Sequence, residues 1–268
     1  MLTDKQLADA KQFIFRHGRL LDRKYFLFHF ENGSRQAVLD VLGCYQNNDG
    51  GFGHGLEPDV MCPASTAICT EVAMAYLDDL GIVEGKIVDD MENWIIATQQ
   101  RDGSMLHPKS DLVAYPHGPW WENDSGSGLA LAGFLGKWGR GTPEFFAQSE
   151  QALATRGIPD ELGKYDYPLY MYLRHSPGAE DHRDALTRVR EMIPAMLDKF
   201  APHHPLFVFP YRWYSADLDR DLVERQARAA IADLQEDGGL MIPYDLPWWR
   251  PIWTLQLLVS LKSHGLIG

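Results

Sequence analysis

Cysteine is scarce in this chain: Cys44, Cys62 and Cys69 are the only three among 268 residues. Their number is odd and none stand in CxxC spacing, which favours reduced thiols and a cytoplasmic location over a disulfide framework. Basic runs are missing too. A net charge of −12 without a basic stripe disfavours nucleic acid or an anionic membrane as partner. No stretch approaches the ~18 apolar residues of a membrane span. The opening Met1-Leu2-Thr3-Asp4-Lys5-Gln6 lacks the apolar run of a signal peptide. Period-two strand patterns are absent as well. The hydrophobic share of 45% and charged share of 23% are those of a globular chain with a sizeable core. Aromatics are plentiful: 8 Trp, 11 Tyr and 12 Phe, many of them in predicted loops.

The apolar spacing predicts helices almost throughout. Thr3 is placed to cap a first helix to about Arg16, and Tyr25–Phe30 reads as an aromatic link. Helices follow over Arg35–Tyr45, then from a cap at Ser65 or Thr66 to Leu80, and over Lys86–Thr98 and Gly126–Trp138. Pro143 opens another, and Tyr165–His175 and Ala185–Phe200 follow. A helix capped by Asp217 runs to Leu234, and Ile252–Gly265 closes the series. Amphipathic segments alternate with segments apolar all round, such as Ala67–Leu77 and Leu129–Leu135, and a helix without a polar face is buried on every side. That alternation predicts an all-α fold of inner helices ringed by outer ones, in one domain over 1–268. Long loops enter the inner helices and short returns leave them, so the long loops are expected to gather at one end.

One stretch organises the pattern: Gln46-Asn47-Asn48-Asp49-Gly50-Gly51-Phe52-Gly53, followed by His54-Gly55-Leu56-Glu57-Pro58-Asp59. It returns as Gln99-Gln100-Arg101-Asp102-Gly103-Ser104, and as Gln235-Glu236-Asp237-Gly238-Gly239-Leu240, read as a copy with one residue deleted. These residues resemble the repeat of the terpenoid cyclase and protein prenyltransferase superfamily, which carries a Gln, an Asp-Gly turn and an aromatic. More narrowly, Gln46–Asp59 is similar to short bacterial squalene-cyclase-like proteins. The resemblance covers essentially the whole chain and implies an (α/α)6 toroid with a central cavity. The chain departs from it where chemistry is concerned. It has no Asp-x-Asp-Asp general acid and no Asp-Asp-x-x-Asp magnesium motif; Asp78-Asp79 and Asp89-Asp90 fall short of the latter. Neither Cys62 nor Cys69 aligns with the zinc cysteine of protein prenyltransferases, and a squalene cyclase needs two such barrels.

The long loops carry the candidate site. His54, Glu57 and Asp59 fall within six positions, fixed by Pro58 and flanked by glycines, and are the candidate catalytic set. Paired acids near a cavity can perform acid–base work. The plainer alternative makes Glu57 or Asp59 a helix cap and His54 a loop staple. Trp120, Trp121, Trp213, Tyr244, Trp248 and Trp249, with His107, His117, Asp124 and Asp245, are candidates for binding substrate. Aromatic walls can shelter a carbocation, stack on a sugar or simply pack the loops. No close His/Cys pair points to a metal, and no cofactor motif appears. Three readings follow. The first is a terpene-cyclase-like enzyme, with Asp59 or Glu57 as proton donor and His54 orienting it, acting on a small apolar or isoprenoid molecule. The second is a carbohydrate-active (α/α)6 enzyme with rim carboxylates. The third is a binding module without catalysis.

Overall fold

The computed structural model describes residues 1–123, 128–208 and 211–267. Among them stand twelve α-helices and no β-strand. No helix there is long and apolar enough to cross a membrane. Contacts divide the chain into two compact units, one of residues 1–41, 161–165 and 190–268, the other of 42–160 and 166–189.

In the second unit, α4 (Ala67–Asp79), α7 (Gly128–Lys137) and α9 (Tyr167–His175) are the walled-in helices. Every residue from Ala67 to Leu77, from Gly128 to Leu135 and from Tyr167 to Leu173 is buried. The α5 (Lys86–Thr98) and α8 (Pro143–Arg156) helices bury one face each, through Val88, Met91, Trp94 and Ile95 and through Phe145, Ser149 and Leu153. A single turn, α6 (Lys109–Leu112), interrupts the long loop before α7. Helix α7 lies so close to α9 that a Cβ on Gly133 would meet the Met171 carbonyl carbon at 2.7 Å, and one on Gly136 the His175 oxygen at 2.3 Å. The acid pairs that fell short of a magnesium motif hold the return turns together. Asp78 accepts from Lys137 and from the Trp138 indole (2.6 and 2.9 Å), while Asp89 and Glu92 take Arg140.

The first unit contains α1 (Asp4–His17), α2 (Leu20–Phe30), α11 (Arg220–Ala232) and α12 (Trp249–Ser263). Helix α12 is buried from Pro251 to Leu261 and packs on α1 and α2. Each large aliphatic it removes from water contributes about 1.5–3 kcal/mol. Leu2 pairs with Ile267 in an isolated parallel bridge. The boundary between units falls inside α3 (Arg35–Gly43) and α10 (Arg183–Lys199).

Several expectations need correcting. Tyr25–Phe30 is the second half of α2, not a link; Leu21, Tyr25 and Phe26 are buried at helical spacing, and Arg19 clamps the buried Asp22 through backbone and side chain. Asp217 does not cap α11. Asp219 stands at that position, and Asp217 takes the Arg190 Nε at 2.8 Å. Helix α12 starts at Trp249, so Trp249 is helical rather than in a loop. The caps at Thr3 and Thr66 are present, Thr3 in a reciprocal capping box with Gln6.

The three turns share one geometry. Gln46 bridges Phe52, Gln99 bridges Met105 and Leu234 bridges Leu240. In each, the Asp side chain accepts the amide two residues on: Asp49 from Gly51, Asp102 from Ser104, Asp237 from Gly239, at 2.9–3.0 Å. The third turn therefore has no deletion. Leu234 occupies the glutamine position, and Gln235 corresponds to Asn47 and Gln100. The buried position holds Phe52, Met105 or Leu240 interchangeably, so the turn demands burial there rather than an aromatic ring. The glycine after each Asp has positive φ and sits against another helix of the same unit. A Cβ on Gly50, Gly103 or Gly238 would come within 2.1–2.3 Å of the Asp90, Gln148 or Asp9 carbonyl, on α5, α8 and α1 respectively.

Candidate functional site

In the second unit the structure brings two of the candidate loops together. Val60 and His117 form an antiparallel bridge, the Met61 amide donates to the Pro116 carbonyl (3.1 Å), and the Gly118 amide donates to the Asp59 carbonyl (2.8 Å). His54 is exposed and adopts a left-handed φ of 57°. Its Nε2 lies 2.9 Å from Asn47 Oδ1, and Asn47 donates in turn to the Pro63 carbonyl and Ser65 Oγ. His54 is thus stitched to the first turn. Asp59 is part-exposed, whereas Glu57 is only 5% exposed and its amide lies 3.5 Å from Cys69 Sγ on the first turn of α4. Burial pushes the Cys69 thiol up to about 12 and raises Cys62 as well, so neither is a thiolate nucleophile at neutral pH.

The neighbouring loop presents Trp120, 53% exposed, beside a half-buried Trp121. His117 Nδ1 lies 2.7 Å from the Tyr115 carbonyl, and its Nε2 lies 3.6 Å from Glu122. The Trp121 Nε1 and His107 Nε2 are buried atoms without hydrogen-bond partners among the described residues. Asp124 lies outside the described residues. No three His, Cys, Asp or Glu side chains come together as metal ligands among the described residues.

Sequence reading passed over one group. Glu71, in the middle of α4, is fully buried, and the Tyr167 hydroxyl of α9 donates to its Oε1. The signal was present: one carboxylate interrupting an otherwise apolar helix is costly to bury without a purpose or a partner.

In the first unit the candidates fall into two groups. Tyr244 meets Lys164 and His203, neither of which the sequence singled out: its hydroxyl contacts Lys164 Nζ and lies 3.1 Å from His203 Nδ1, and Lys164 Nζ lies 3.2 Å from the same nitrogen. Beside Tyr244 opens a groove of about 340 Å³, lined also by Asp237, Met241, Ile242, Asp245 and Arg250. Arg250 grips Asp237 with two guanidinium bonds (2.9 and 2.8 Å), which holds that carboxyl below the usual range. Trp248 is half exposed just before α12, and Trp249 is half-buried. Trp213 forms the second group, lying under Arg212 at 5.8 Å, with Arg212 donating to Gln256 of α12 at 3.1 Å.

No known protein family, curated protein or solved structure matches the chain. Function has therefore to be argued from these residues.

Proposed function

We propose that the chain is an (α/α)6 toroid of the terpenoid cyclase type that acts on an apolar, isoprenoid-like molecule by acid-initiated chemistry. What supports the toroid is the alternation of wholly buried with one-faced helices, and three turns of one geometry that each lean on an outer helix. What carries the chemical reading is a pair of carboxyls withdrawn from water at the first buried helix: Glu57, 5% exposed, and Glu71, fully buried with a phenol as donor. Burial disfavours the charged form of a carboxyl, and a carboxyl withdrawn from water can serve as a proton donor. Among the acids of the first loop, Glu57 fits this better than the part-exposed Asp59. Glu57 gives its proton to one carbon of an alkene, whose π pair forms the new C–H bond. The adjacent carbon is left cationic and Glu57 becomes a carboxylate. Loss of a proton from a neighbouring carbon to a carboxylate restores a double bond. His54, tied to Asn47, positions the loop rather than touching substrate.

The test incubates the protein with farnesol, geranylgeraniol and squalene in detergent and follows products by gas chromatography and mass spectrometry. Glu57→Gln is expected to lower turnover by about 10²-fold or more with an unchanged melting temperature. Turnover by Glu57→Gln at the wild-type rate, or no product from any of the three with the wild type, ends the reading. A carbohydrate-active alternative would use the open groove of the first unit. Of the two acids there, Asp237 and Asp245, the first is committed to Arg250 as a charged carboxylate and makes a poor proton donor.

A further inference from the structure

The triangle of Lys164, His203 and Tyr244 has no part in that chemistry, and its Tyr244 lines a groove. We propose that it is a second ligand site, in which the Tyr244 hydroxyl donates a hydrogen bond to the oxygen of a neutral carbonyl compound with an apolar body.

The atoms of the triangle differ in which partner each can give up. Tyr244 OH and Lys164 Nζ both lie within hydrogen-bond distance of His203 Nδ1, at 3.1 and 3.2 Å. Both are donors, so Nδ1 accepts and the imidazole is neutral with its proton on Nε2. Burial and the neighbouring ammonium favour that neutral form. One acceptor thus has two donors. If the Tyr244 hydroxyl turns toward a ligand, Lys164 still satisfies His203 Nδ1. The swap leaves that acceptor paired, so no unsatisfied nitrogen is left behind.

Lys164 also makes the turned hydroxyl a better donor. Its ammonium donates to the phenol oxygen, and a hydroxyl whose oxygen accepts from a cation donates more strongly. The ammonium is held in place by rings on several sides, 4.7 Å from the centroid of Tyr165, 5.1 Å from Tyr244 and 5.8 Å from Phe200. Burial keeps the phenol itself protonated, as a donor must be.

The groove decides what kind of molecule comes. Met241, Ile242, Leu246 and Pro247 give it apolar wall. Its one cation, Arg250, is occupied by Asp237 and by the Leu240 carbonyl, and Asp245 adds a further carboxylate. Two carboxylates against one committed guanidinium favour a neutral ligand over an anion. At about 340 Å³ the groove lies at the small end of ligand pockets, suited to a molecule of roughly ten to fifteen heavy atoms.

Three probes of like shape test this by calorimetry and by ¹³C NMR of a labelled carbonyl: 4-phenyl-2-butanone, butylbenzene and 3-phenylpropionate. The ketone is expected to bind the wild type about tenfold more tightly than either of the others, with its carbonyl resonance moved downfield. Tyr244→Phe keeps the ring and should lose about tenfold in ketone affinity together with the shift. Lys164→Met should retain binding but reduce the shift. Ketone bound no better than butylbenzene, tighter binding of the carboxylate, or a shift that survives in Tyr244→Phe would each overturn the proposal. The comparison of probes on the wild type needs no variant to fold, and its outcome is independent of isoprenoid turnover and of Glu57.

Discussion

Helices α4 and α12 follow one plan and carry opposite polar cargo. Each is buried over eleven successive residues, from Ala67 to Leu77 and from Pro251 to Leu261. Each offers a buried threonine hydroxyl to the turn before it: Thr70 accepts the Phe52 amide at 3.2 Å and Thr254 the Leu240 amide at 2.8 Å. Both hydroxyls donate to the carbonyl four residues back, so one group serves helix and turn together. Beyond that shared frame, α4 buries the Glu71 carboxylate under a phenol, whereas α12 buries the Gln256 amide under the Arg212 guanidinium. Neither an amide nor a guanidinium changes charge near neutrality, whereas a carboxyl beside a phenol can hold or release a proton. The frame common to both helices accordingly says nothing about chemistry; the residue it presents does.

The largest expected effect tests the frame. Alanine at Gly50, Gly103 or Gly238 sets a Cβ 2.1–2.3 Å from a neighbouring carbonyl at a positive φ, so each should cost about 3 kcal/mol or more in denaturant melts. Gly81, at φ 66° with nothing within 4 Å of its Cβ, should cost only about 1 kcal/mol. Equal losses at Gly81 and Gly50 would show that close approach plays no part.

A middle-sized effect tests the shared threonine. Valine at Thr70 or at Thr254 leaves a buried amide without its acceptor, and each should cost about 1–3 kcal/mol. A large loss at one and none at the other would break the likeness between the helices.

The smallest effect separates the units by pH. In the first unit His203, His204 and His264 have pKa values lowered chiefly by burial. Below about pH 6.5 the unfolded chain takes protons that these folded side chains refuse, so the stability present above that pH is lost as it falls. His204 pairs through Nε2 with Asp233 at 2.9 Å, and its left-handed φ of 45° is one that asparagine tolerates. His204→Asn should flatten the fall in melting temperature between pH 7 and pH 5.5, as read by scanning calorimetry. An unchanged slope would mean that His204 is no part of it.

Much of the architecture was readable from the amino acids because burial writes itself into composition. Ala67–Leu77 offers no polar face, and Lys86–Thr98 offers one. Helix α2 escaped because its buried residues are aromatic and crowd on a short span, Tyr25-Phe26-Leu27-Phe28, where a helical stripe and an apolar cluster look alike. The third turn was misaligned because glutamine was followed as the marker, whereas the structure keeps the Asp, the Gly and a buried side chain. For the site, the loops around Glu57 and His117 do meet, and their residues were visible as unusual loop aromatics and acids. The triangle at Tyr244 was not, because Lys164 and His203 are brought to it by packing from positions 80 and 41 residues away. Glu71 was hidden only by the habit of reading an apolar helix for its majority.

The glycines that press the first two turns onto helices further along the chain carry one more consequence. Neither of these two bends completes itself, since the surface it needs belongs to a later helix: Gly50 needs Asp90, and Gly103 needs Gln148. A fragment cut at Leu80 would retain the first bend and lose the helix that shapes it, so that bend takes its form only once α5 is in place.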